Sequence, residues 1–144
     1  LKFLGDTHGT KIPDIARVME EEIPRFKAFG YELKGLGIFR NLKTPRVLWT
    51  GIYPGALFHE IKKSLENSLE GAGLSRDERE FNPHLTLARM KGLKNREKSA
   101  FLLEKYGNQV IMRCRAVNVS LYESHLSQQG ATYKELEGCW LQET

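Results

Sequence analysis

Phe81-Asn82-Pro83-His84-Leu85-Thr86-Leu87-Ala88-Arg89, residues 81–89, is the stretch around which the rest of the chain can be read. Asn82-Pro83 is a turn signal, and the alternation that follows predicts a short strand. With a side-chain period of two, His84, Thr86 and Ala88 fall on one face and Leu85, Leu87 and Arg89 on the other. Just before it, Gly55 to Leu69 carries Leu57, Ile61, Leu65 and Leu69 at every fourth position, which predicts an amphipathic helix closed by Gly71 and Gly73. Just after it, Lys94 to Tyr106 reads as a second amphipathic helix ending at Gly107-Asn108.

Working outward, Leu1 to Leu4 reads as a strand ending at Gly5-Asp6. A helix follows with Pro13 in its first turn, Ile12, Ile15, Val18 and Met19 inward, and Pro24 at its end. The glycine-punctuated, aromatic run Phe26 to Phe39 predicts a bent or bulged strand. After the loop Asn41 to Arg46, Val47 to Ile52 is the next strand. Val110 to Tyr122 reads as one long strand whose alternation changes parity near Ala116, which points to a bulge. Ser127 to Gly130 turns the chain and Ala131 to Leu136 pairs back. The order β-α-β-β-α-β-α-β-β, with connections too short for many parallel crossovers, gives an α+β fold. The opening β-α-β-β stretch is echoed from His84 onward, so the expected organisation is one domain over residues 1–144 built of two related lobes.

Composition narrows the classes. The 144 residues are 40% hydrophobic and 28% charged, with a mean hydropathy of -0.45, which excludes both a disordered chain and a membrane protein. A formal charge of +4 is a mild bias toward anionic partners. That bias is local. From His84 to Arg115 eight Lys or Arg stand against two Glu, whereas from Leu57 to Asn82 four basic residues face six acidic ones. Cys114 and Cys139 form no CxxC pair, and none of the four histidines has zinc-ligand spacing, so no disulfide, metal or cofactor is expected. No apolar run reaches eighteen residues and LKFLGDTHGT has no signal-peptide pattern. The expected setting is a reducing cytoplasm, away from any membrane, with the protein a monomer.

An imidazole can give or take a proton near neutrality, and a Thr hydroxyl two residues on can donate to a phosphoryl oxygen. H-x-T by spacing alone is a weak pattern and favours the plain reading of a strand-start histidine beside an ordinary β-branched strand residue. Arg89 reaches a group held by His84 only if the strand bends or its long side chain wraps over the edge. His8 in a turn, His59 on the polar side of its helix, and Ser124 and His125 all read as exposed or structural. Trp49 and Trp140 read as core aromatics.

PHLTLAR resembles the second signature of the 2H phosphoesterase family, in its branch of RNA 2',3'-cyclic phosphodiesterases, also called 2'-5' RNA ligases. LKFLGDT, LKGLGIF, PRVLWTGI and LYESHLSQQGATYKELE resemble the same branch in the same order, so the likeness spans nearly the whole chain. It implies a two-lobed fold of mainly antiparallel sheets with helices packed outside, and catalytic roles for His84 and Thr86. It implies substrate contacts from Arg89, from Phe3 stacking on a base, and from Arg46 on a phosphate. In the family a first H-x-T pair precedes a segment like Leu1-Lys2-Phe3-Leu4-Gly5, which implies that this sequence lacks that pair with its strand and helix, and that these residues alone are inactive or poorly folded. The implied chemistry is metal-independent hydrolysis of RNA or oligonucleotide 2',3'-cyclic phosphate ends to 2'-phosphate by two histidines, with 2'-5' ligation as the reverse reaction. The alternatives are an RNA-binding module without turnover and a small-nucleotide cyclic phosphodiesterase.

Overall fold

The computed structural model describes residues 1–39, 46–91 and 95–143. The loop expected from Asn41 falls outside them up to residue 45, as does Lys94, the expected start of a helix. The elements are α1 (Ile12–Glu22), β1 (Phe29–Phe39), β2 (Val47–Tyr53), α2 (Ala56–Gly71), β3 (His84–Arg89), α3 (Arg96–Tyr106), β4 (Val110–Ala116), β5 (Asn118–Ser127) and β6 (Gly130–Trp140), with short 3-10 turns flanking α1. They form two compact units.

The first unit comprises Leu1–Phe29, Phe58–Glu80 and Ala116–Thr144. Its core follows from helical spacing: Ile15, Val18 and Met19 of α1 meet Ile61, Leu65 and Leu69 of α2, with Ile23, Ala28, Cys139 and Leu141 completing the cluster. β5 and β6 form an antiparallel hairpin from Asn118↔Trp140 to Ser127↔Gly130, longer than the pairing predicted from Ala131 to Leu136. Three expectations are corrected here. Leu1 to Leu4 joins no strand among the described residues, and is held by side chains: Lys2 Nζ donates to Glu66 Oε2 (2.7 Å) and to the Ser75 carbonyl (2.9 Å), while Leu4 packs on the core. The run from Val110 is two strands, because at Val117 the chain leaves one sheet and enters the hairpin; the change of parity marks that passage. Trp140 is 68% exposed, since Cys139 takes the inward position beside it.

Glu22 is the polar exception on the inward stripe of α1. Its carboxylate accepts from the Ser64 and Ser68 hydroxyls and pairs with Arg25 Nη1 at 3.0 Å. The Ser64 hydrogen bond, followed by those of Ser68 and the charge of Arg25, outweighs desolvation and holds its pKa below the ordinary 4.5. A depressed carboxylate pKa stabilises the fold in full above the unfolded value, and that contribution is lost as pH falls through the folded one. Glu22→Gln is therefore expected to lower the urea midpoint at pH 7, with the gap to wild type narrowing steadily below pH 4.5. A gap of constant size down to pH 3 would show that the charge plays no part.

The second unit, Gly30–Leu57 and Phe81–Arg115, holds a four-stranded sheet in the order β3-β2-β1-β4, in which β1–β2 and β2–β3 pair antiparallel. The bulge expected in β1 lies between Lys34 and Leu36, at Gly35. Leu33 and Thr50 are buried on one face. α3 is capped by Asn95, whose side chain accepts from Lys98 N at 2.8 Å. Its stripe is shallower than the predicted amphipathic pattern: no residue of α3 is buried, with Ser99, Leu103 and Tyr106 half-buried and Phe101 exposed.

Candidate active site

Strand register decides which side chains share a face. On β2, Val47, Trp49 and Gly51 point one way, and their partners on β3 are Arg89, Thr86 and His84. The ladder shifts between Leu48 and Trp49, where Leu87 is the extra residue of a bulge. The consequence corrects the alternation read from the sequence. Ala88, paired with Leu48, turns to the opposite face, and Arg89 joins His84 and Thr86. All three are exposed.

His84 sits at the start of β3 with Nδ1 2.6 Å from the Asn82 carbonyl oxygen. A carbonyl only accepts, so Nδ1 carries the hydrogen and Nε2 keeps its lone pair. The ring is walled by two aromatics. Phe39 meets it edge-on at 4.8 Å between centroids, Trp49 lies at 6.3 Å, and the two aromatics stack on each other at 5.3 Å. Trp49 lies against Gly37, where any Cβ would run into the indole ring. Trp49 is thus half-buried on the histidine face, packed against a strand glycine, and not in the core as its size suggested.

The remaining site residues fall elsewhere. Arg46, exposed, precedes Val47 at the Arg89 end of the β2–β3 ladder; its carbonyl accepts from Met90 N at 2.8 Å, and it lies five residues or about 17 Å along the strand from the Gly51–His84 row. Phe3 belongs to the first unit and is 76% exposed. His8 caps a 3-10 turn with Nδ1 2.9 Å from Thr10 Oγ1, His59 is exposed, and His125 pairs with Glu123 at 3.1 Å on the surface. Sequence reasoning missed Phe39 and Trp49 as neighbours of His84. Their aromatic character was visible, but the pairing that brings three strands into one row was not.

The α+β fold, with imidazole, hydroxyl and guanidinium together on one exposed sheet face, accords with the resemblance to the 2H phosphoesterase class. A family model described as the 2'-5' RNA ligase superfamily matches residues 1–127, and the chain belongs to that superfamily. Proteins of Methanothermobacter thermautotrophicus and Aeropyrum pernix, each named RNA 2',3'-cyclic phosphodiesterase, are 34% identical to it over 137 residues. The matches cover 95% and 94% of this chain, and 74% and 77% of those proteins. Among solved structures, a protein of Thermus thermophilus superposes with a TM-score of 0.76 at 23% identity, covering 96% of this chain and 74% of that one. Escherichia coli LigT complexed with 3'-AMP superposes with a TM-score of 0.74 at 19% identity, covering 97% and 74%. At those identities the structural likeness shows the fold. No helix among the described residues is long and apolar enough to cross a membrane.

Proposed function

We propose that the full-length protein carrying these residues is an RNA 2',3'-cyclic phosphodiesterase that opens the cyclic end of RNA to a 2'-phosphate. The observation that carries this reading is the bulge at Leu87, which sets Arg89 on the face of His84 and Thr86. Water attacks phosphorus, the P–O3' bond breaks, and the 3'-oxygen leaves with a proton. His84, through Nε2, supplies one of the two proton transfers; the second falls to the other histidine that the family resemblance implies. The Thr86 hydroxyl and the Arg89 guanidinium hold non-bridging oxygens as charge builds on them. In the same reading the two compact units are the two lobes of the family, and Arg46 meets a backbone phosphate. A 5'-hydroxyl in place of water gives 2'-5' ligation. No step calls for a metal.

The test is turnover of a cyclic-ended oligonucleotide by the full-length protein in EDTA, with the product identified as 2'- or 3'-phosphate. Metal-free release of 2'-phosphate is the expected result; a 3'-phosphate product or dependence on an added metal overturns the mechanism. Arg89→Gln is expected to lower kcat/KM by about 10 to 100-fold, the scale of a lost charge-assisted bond to a phosphate. An unchanged kcat/KM would return Arg89 to the role of a surface charge.

A further inference from the structure

Two residues on the His84 face have no role in the chemistry above. Lys34 on β1 pairs with Gly51 on β2, and Gly51 pairs with His84 on β3, so the three form one row across the sheet. The middle position has no side chain, so between Lys34 and His84 it is the edge of the Trp49 indole that borders Gly51, 3.7 Å from where a Cβ would sit. Tyr53, two residues beyond Gly51 on the same face of β2, is 60% exposed, and Lys34 Nζ lies 5.4 Å from its ring centroid. By strand spacing the Tyr53 Cα is about 8 Å, and the Lys34 Cα about 10 Å, from that of His84. Glu32, opposite Tyr53, is paired with Arg113 at 3.2 Å, so its charge is met within the sheet and does not oppose a polyanion.

An exposed aromatic ring and a cation, one nucleotide's reach from a phosphoester-cleaving histidine, match a base and the phosphate joined to it. Resting on the phosphodiesterase reading, we infer that Lys34 and Tyr53 form a subsite for the nucleotide preceding the cyclic-phosphate end, and so set a preference for RNA over mononucleotides. Tyr53 stacks on the penultimate base and Lys34 contacts the phosphate between the last two nucleotides.

The experiment compares the full-length protein with Tyr53→Ala, Tyr53→Phe and Lys34→Gln. Turnover is measured on a cyclic-ended oligonucleotide and on a nucleoside 2',3'-cyclic phosphate. Affinity is measured for the corresponding oligonucleotide and nucleoside ending in 2'-phosphate. Tyr53→Ala is expected to weaken both oligonucleotide readouts by about tenfold, at least fivefold more than the mononucleotide ones, with Tyr53→Phe near wild type. Lys34→Gln is expected to reduce the salt slope of oligonucleotide binding by about 0.7, one single-strand phosphate contact. Equal losses on both ligands, or none on either, overturn the subsite. Absence of turnover with the selective binding loss intact sinks the phosphodiesterase reading and keeps the subsite.

Discussion

His84→Ala is expected to lower kcat of the full-length protein by about 10²- to 10⁴-fold, the usual contribution of one positioned acid–base group. KM should change little, since in the proposed mechanism phosphate is held chiefly by Thr86 and Arg89. Stability should barely move, because the side chain is exposed and its Nδ1 bond to the Asn82 carbonyl is within reach of water. Thr86→Val, which keeps the β-branched shape and removes the donor, should cost about 10² to 10³ in kcat by the loss of one oxyanion contact. A folded His84→Ala protein that retains more than about a tenth of wild-type turnover would falsify the assignment of His84. The face would then be a binding surface, and catalysis would have to lie elsewhere.

The largest effect on stability is expected at Gly35. Its φ is +73°, a region where a Cβ costs about 1 to 2 kcal/mol, and a Cβ built there collides with the carbonyl oxygen of Gly107 just past α3. That atom is backbone, so no rotamer change relieves the clash. Gly35 N also donates to the Gln109 carbonyl at 2.9 Å, which ties the β1 bulge to the α3–β4 connection. Gly35→Ala should therefore destabilise by about 3 kcal/mol, or lower Tm by about 6–12 °C for a chain of this size. Gly9→Ala, with no atom near the new methyl, is the neutral control. A Gly35→Ala Tm within about 1 °C of wild type would mean that the bulge can be rebuilt without its glycine. Substrate selectivity in this variant should change as well, because the bulge separates Lys34 from Leu36 and keeps the lysine on the His84 face.

Much of this was legible in the residues. The stripes of α1 and α2, the glycine-punctuated bend of β1 and the strand begun by Asn82-Pro83 all rest on local periodicity and turn chemistry, which act over a few residues. PHLTLAR pointed to His84 and Thr86 through its resemblance to the family signature, which a short stretch on one strand is enough to carry. Leu1 to Leu4 shows the limit: its apolar character resembles a strand, yet it is held by Lys2 on Glu66 and by Leu4 on the core. Val117 shows another, since a change of parity looks the same whether a strand bulges or leaves its sheet.

By itself the sequence determined the helices, most of the strands, the basic character around His84 and the residues of the H-x-T pair. Tertiary structure alone decided the face of Arg89, the aromatic wall of Phe39 and Trp49, and the row from Lys34 to His84. The physical reason is that a side chain's face in a sheet depends on register with another strand. One extra residue at Leu87 reverses every assignment beyond it, and that pairing joins β2 to a strand more than thirty positions away along the chain.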